Sequence, residues 1–310
     1  MTPTSRFTPS RRSETGFILV AVLWLLAALA TLASIYASYA IQTVDASHIL
    51  DDRIQADASI RAGIEMTALR HLSLPEPARP SQGGFTLRIG RTRVVVRFRS
   101  EAARVDLNAA PPDLLVGLFT AIGANPNQAR TYADRVVGWR TKADAGHGAD
   151  EATLYSKSGL PYPPRQAPFD SALELGLLLG LPQPVVERAL RFVTVFSGRS
   201  EIDVASADPT VLLALPGMTP DVIPAILTAR AKAPNDRSAL LSLLGPARSR
   251  AMVDSPKAVR SSIEVAFDNG RRVRAEVVFR LKTSGDEPFD ILSWRDDFDG
   301  QTPLDWDSAR

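Results

Sequence analysis

The side chains able to do chemistry are few and scattered. The chain has three histidines, His48, His71 and His147, and no cysteine. Cysteine nucleophiles, disulfides and thiolate-held metals are therefore excluded. No Gly-x-Ser-x-Gly elbow marks an activated serine, and no glycine-rich phosphate loop is present. The densest polar set is Asp144, His147, Asp150 and Glu151. Hard oxygen donors on a loop suit Ca²⁺, which makes Asp144, Asp150 and Glu151 the calcium candidates. Their spacing follows no calcium-loop signature, so a solvated acidic loop is the preferred reading, and the same holds for Asp297-Phe298-Asp299-Gly300. His48 and His71 fall in a long helical stretch and read as surface residues. No enzyme activity and no resident cofactor are expected.

What must position any function is a membrane segment. Phe17 to Ile41 contains no charged side chain, with Gly16 before it. As a helix rising about 1.5 Å per residue it is long enough for a hydrocarbon core of roughly 30 Å. Arg6, Arg11 and Arg12 precede it, and the first charges after it are Asp45, Asp51 and Asp52. The positive-inside rule puts the short N-terminus in the cytoplasm and the long remainder across the membrane. The run is too long for the apolar core of a cleaved secretory signal. A net charge of +2 and a pI near 9.0 reflect scattered arginines rather than a basic patch, and no nucleic acid is expected as a partner.

Downstream, Ile60, Ile64, Ala68 and Leu72 recur every four residues, continuing a helix that Pro75, Pro77 and Pro80 end. A hairpin follows: Leu87 and Ile89 alternate with polar neighbours, Gly90-Arg91-Thr92 turns, and Val94, Val96 and Phe98 alternate with Arg93, Arg97 and Arg99. Those arginines read as a solvated strand face. From Val105 to about Val259 the pattern is helical and repeats. Asp106-Leu107-Asn108-Ala109-Ala110-Pro111 opens one unit and Asp203-Val204-Ala205-Ser206-Ala207-Asp208-Pro209 the other; each leads through a glycine turn to a second helix ending in Arg, Arg140 or Arg230. Thr141 to about Pro168 reads as a polar loop. Ile263, Val265 and Phe267 alternate again, Asp268-Asn269-Gly270 turns, and strands follow to about Trp294.

The junction of a basic leader with Gly16, Phe17 and an unbroken apolar helix resembles the type IV prepilin family. That resemblance implies cleavage by prepilin peptidase between Gly16 and Phe17 and methylation of Phe17. Most of that family carries Glu at the fifth mature position, where this chain has Ala21. GWR (138–140), Glu151, Tyr155, LPYPPRQAPFDSALEL (160–175), VTVFSG (193–198) and DVASADPTVLLALPGM (203–218) then follow one another as in the protein K family of type II secretion. This chain departs from that family's pattern at Gly138 and at Ala205-Ser206-Ala207.

The resemblance implies an α+β fold: a pilin-like long N-terminal helix and antiparallel sheet, with a large inserted all-α domain holding two helix-hairpin-helix (SAM-like) repeats. The expected segments are a leader (1–16), a transmembrane helix (17–41), helix and first strands (42–104), and two helical subdomains (105–200 and 201–260). C-terminal strands (261–296) and an acidic, disordered tail (297–310) complete them. The implied function is that of a minor pseudopilin at the pseudopilus tip, helping to start fibre assembly for protein export across the outer membrane. The implied partners are minor pseudopilins I and J, the major pseudopilin and prepilin peptidase. Two alternatives are a membrane-tethered DNA binder built on the turn Leu215-Pro216-Gly217-Met218 and a type IV pilus minor pilin. Pro220 beside that turn offers no N–H to phosphate, and the missing cysteines and large helical insertion argue against the pilin.

Overall fold

The structure, a computed structural model, describes residues 14–142, 147–233, 236–282 and 284–297, with the side chains of 14–16, 40–50 and 147–149 left aside. Most of the expected leader (1–13), the tail from 298, Asp144 and the side chains of His48 and His147 lie outside the described residues. The chain forms two compact units, Met1–Asp57 and Ala58–Arg310.

Helix α1 (Glu14–Leu72) supplies the first unit. Within it, Phe17–Tyr39 has a mean hydropathy of 2.6 and no buried part, and is the one helix among the described residues long and apolar enough to cross a membrane. At about 1.5 Å per residue this stretch alone rises about 35 Å.

In the second unit, the last turns of α1 lie on a five-stranded antiparallel sheet. Its strands are β1 (Gln82–Ile89), β2 (Thr92–Ser100), β7 (Ala258–Phe267), β8 (Arg272–Leu281) and β9 (Phe289–Asp296), in the order β1-β2-β7-β8-β9. The register sets Val94 opposite Val265, Val96 opposite Ile263, and these opposite Val273 and Ala275. Because alternate residues face one side, this alignment gathers the apolar residues on one face. Ile60, Ile64 and Ala68 are buried, and Gly63 brings α1 so close that a Cβ there would lie 3.1 Å from Val96 and 3.3 Å from Ile263. His71 belongs to the same stripe and is fully buried, 4.8 Å from Phe98, with its two ring nitrogens facing the Thr67 and Pro80 carbonyls. The surface reading of His71 is thus corrected: four residues after Thr67, it shares the inward face. Burial lowers its pKa.

Between β2 and β7 the chain folds into helices, in this order: β3 (Val105–Asp106), α2 (Pro112–Ala121), α3 (Pro126–Arg140), α4 (His147–Ser158), α5 (Gln183–Leu190), β4 (Val193–Thr194), β5 (Ile202–Asp203), α6 (Pro209–Leu213), α7 (Ile223–Lys232), α8 (Arg237–Ser242) and β6 (Ala251–Met252). The segment is not all-α: β3 pairs in parallel with β4, and β5 with β6. Each pair closes one repeat, tying the start of its first helical turn to the chain beyond its last. The stretch read as a polar loop contains α4, because Glu151 and Tyr155, four residues apart, both turn inward. β7 begins at Ala258, three residues before the expected boundary, since Val259 already pairs with Ser100.

The two repeats do not keep separate cores. One buried cluster runs from Val105, Leu114 and Phe119 through Tyr155 and Leu175 to Leu212, Ile226 and Leu240.

Candidate functional site

The polar residues repeated in the helical segment perform the same local task twice. Asp106 closes a turn by accepting the Asn108 N–H at 2.8 Å, and Asp203 accepts the Ala205 N–H at 3.1 Å. Arg140, ending α3, donates to the carbonyls of Leu107 and, at 2.6 Å, Ala110. Arg230, near the end of α7, donates to Val204 at 2.6 Å and Ala207 at 2.7 Å. In each repeat the arginine of the second helix therefore clamps the carbonyls one and four residues after the turn aspartate. Burial raises the pKa of Asp203 and lowers that of Arg230 to about 10. An arginine 8 % exposed and engaged this way is not a phosphate ligand beside the Leu215–Met218 turn, which removes the basic residue nearest the proposed DNA contact.

The ordered motif of residues 138–175 also converges. Trp139 Nε1 donates to Glu174 Oε2 at 3.0 Å, while Glu174 Oε1 caps the 3-10 turn through the N–H groups of Asp170 and Ser171. Asn108 both donates to and accepts from the backbone of Phe169, at 2.9 and 2.7 Å. Tyr155 donates to the Leu177 carbonyl and accepts from the Leu179 N–H, and its rings neighbour Trp139 and Tyr162 at 5.9 and 6.1 Å. Burial pushes its phenol up to about 12. This is a structural node in which every named polar atom has a partner.

Of the calcium candidates, Asp150 is exposed and Glu151 is buried against Arg135, whose Nη1 lies 2.8 Å from Glu151 Oε2. Gly138 makes room for that carboxylate: a Cβ there would sit 2.7 Å from Glu151 Oε2. Burial raises the Glu151 pKa against the opposing charge of Arg135. The two candidates thus do not converge, and among the described residues no group of three or more His, Asp or Glu is placed to hold a metal.

Sequence reasoning missed the ion network that joins the sheet to the helical segment. Arg260 on β7 donates from Nε to Glu101 Oε1 at 2.6 Å, from Nη2 to Glu101 Oε2 at 3.1 Å, and from Nη1 to Glu276 Oε1 at 2.5 Å. Thr194 of β4 donates to Glu101, and Arg295 of β9 to Glu276. Only the alternation of charge along β7 and β8 hinted at it; Glu101 lies 159 residues from Arg260.

Gly16, Phe17 and Ala21 all fall within α1, where Phe17 and Ala21 are exposed. Residues 98–198 match the family model for type II secretion system protein K. The fold matches that of a chain in the crystal structure of the GspK–GspI–GspJ complex of the type 2 secretion system from enterotoxigenic Escherichia coli. The TM-score is 0.57 at 14 % identity, over 82 % of this chain and 99 % of that one. No curated protein matches.

Proposed function

We infer that this chain, which carries the domain of type II secretion system protein K at residues 98–198, is a non-enzymatic minor pseudopilin. The observation that carries the reading is that domain match, on a chain whose fold follows a component of the GspK–GspI–GspJ complex nearly end to end. The apolar helix Phe17–Tyr39 anchors it in the inner membrane with the bulk of the chain in the periplasm. Ala21 supports a place at the pseudopilus tip. A carboxylate inside a membrane is costly and persists only for a partner, which in prepilin-type fibres is the amine of the subunit above. A subunit with Ala at that position makes no such contact, and the helical segment between β2 and β7 adds bulk against further addition. The role needs no catalytic residue and no cofactor.

The experiment is co-expression of the full chain with its cognate minor pseudopilins I and J, followed by detergent extraction and gel filtration. Co-elution of all three is expected; elution of this chain apart from both removes the tip reading. Processing is tested separately. Gly16→Leu is expected to leave a full-length precursor in the presence of prepilin peptidase, seen as a band about 1.5–2 kDa heavier than the mature protein, since a residue averages roughly 110 Da. Normal shortening of that variant places the cut elsewhere.

A further inference from the structure

The face of the sheet turned away from α1 is crowded with arginine. Val94 and Val96 are buried on the α1 side, so Arg93, Val95 and Arg97 point the other way, the two arginines exposed and Val95 half-buried. Arg99, next along that face, is half-buried beside Asp208 instead. The register extends the face in three rows across the strands. Arg88, Arg93, Ala266 and Arg272 make the first; Thr86, Val95, Glu264 and Arg274 the second; Gly84, Arg97, Ser262, Glu276 and Arg295 the third. Arginine outnumbers glutamate six to two on these rows, and Arg88 stands directly opposite Arg93, a like-charge pairing that destabilises a sheet.

The two glutamates are already shared. Glu264 lies 3.4 Å from Arg272 and 3.5 Å from Arg274, and Glu276 is held by Arg260 and Arg295. Asp268, in the β7–β8 turn, stands 3.9 Å from Arg88 and 3.5 Å from Arg91. The chain itself brings more carboxylate to the rim of this face. The Asp297 N–H donates to the Arg274 carbonyl at 3.0 Å, and Asp297 Oδ1 accepts the Arg274 N–H at 2.6 Å. From there the sequence continues Phe298-Asp299-Gly300-Gln301-Thr302-Pro303-Leu304-Asp305-Trp306-Asp307-Ser308-Ala309-Arg310. These thirteen residues reach roughly 40 Å when extended, whereas β8 to β1 is three strand spacings, about 14 Å.

We propose that residues 298–310 cross this outward face from β8 towards β1, setting Asp299, Asp305 and Asp307 against its arginines and Trp306 over Val95. Charge favours this course. Turning round β9 towards α1 instead, the segment would meet Glu65, Glu287 and Asp290, which line a cleft of about 650 Å³ there. Val95 lies between Arg93 and Arg97 along β2, so an indole over it gains apolar contact and two guanidinium neighbours. Tethered at Asp297, the segment is present at high effective concentration and supplies the counter-charge that the sheet lacks.

A chain without cysteine permits a direct test. Ser308→Cys is combined either with Thr86→Cys, opposite Val95 on the outward face, or with Glu65→Cys, beside β9 on the α1 side. Thr86 and Glu65 are both exposed, so neither change disturbs the core. The full chain in neutral detergent micelles is treated with a short bismaleimide at low ionic strength and followed on a denaturing gel. Intramolecular cross-linking of the first pair is expected to run about tenfold faster than that of the second. It is expected to slow several-fold at about 1 M salt, where the Debye length is about 3 Å. Adding Asp299→Asn, Asp305→Asn and Asp307→Asn to the first pair is expected to slow it several-fold at low salt. The proposal fails if the two pairs cross-link at equal rates or if the three Asn changes leave the rate unaltered. It also fails if the first pair gives chiefly a dimer band, which would make the acidic segment of a second copy the occupant.

Discussion

Arg260→Met is expected to lower the unfolding free energy by about 3–5 kcal/mol, the range for breaking a buried ion pair from one side. The side chain of Arg260 is 13 % exposed and holds two carboxylates, Glu101 at 1 % and Glu276 at 18 %. Removing the guanidinium leaves Glu101 with the Thr194 hydroxyl as its direct donor, in a site too dry to solvate its charge. Arg260→Met with Glu101→Gln is expected to recover part of the loss, because the stranded charge rather than the lost attraction makes up most of it. Urea unfolding of the full chain in detergent, followed by tryptophan fluorescence, measures both variants. A loss under about 1 kcal/mol in the single variant would mean that the network is solvated.

The same network sets a pH dependence. Burial alone would raise the Glu276 pKa, but Arg260 and Arg295 hold it down to about 2 from an ordinary 4.5. A depressed carboxylate contributes stability that is complete above its unfolded pKa and is lost as pH falls through the folded one. Wild-type stability should therefore decline between about pH 4.5 and pH 2. Arg260→Met should flatten that slope, because Glu276 then loses its strongest counter-charge and keeps Arg295 and the weaker influence of Arg104.

The contrast between what was legible and what was not follows sequence distance. Val94, Val96 and Phe98 announce a strand with one buried face, and Ile60, Ile64 and Ala68 the helix stripe that covers it, because each signal sits within a few residues. The repeat was legible from its two turn aspartates and terminal arginines, and the structure gives both arginines the same two carbonyls to hold. His71 and Arg99 were misread as solvated for one reason. Local alternation says which side a residue faces, but a partner brought from far along the chain decides whether that side is wet. Pro80 and Phe98 cover His71, and Asp208 stands beside Arg99. The two-residue parallel pairs β3–β4 and β5–β6 carry no periodicity at all, being too short to show one. The polar cluster at 144–151 looked like a site because its residues are close in sequence; Glu151 instead answers Arg135 on the neighbouring helix.

Gly117→Ala tests whether the two repeats are one rigid body. In the middle of α2 this change would ordinarily stabilise, since alanine exceeds glycine in helix propensity by about 1 kcal/mol. Here the sign should reverse. A Cβ at 117 would lie 2.0 Å from the carbonyl oxygen of Ala214 and 2.8 Å from its carbonyl carbon. Ala214 ends α6, so the obstacle is backbone and cannot rotate aside as a side chain would. The first helix of repeat one must therefore part from the first helix of repeat two by more than about 1 Å. That opens the cluster shared by Leu114, Leu118, Val211 and Leu212. A net loss of about 2–3 kcal/mol is expected once overpacking is set against the propensity gain. Gly176→Ala, where a Cβ meets nothing within 4 Å, is the control, expected to stay within about 0.5 kcal/mol of the parent. If Gly117→Ala unfolds at the parent's urea midpoint, the repeats can slide past each other without loss, and the shared core is a contact rather than a joint. If it falls as expected, the helical segment is a single body, its two repeats locked through the α2–α6 contact.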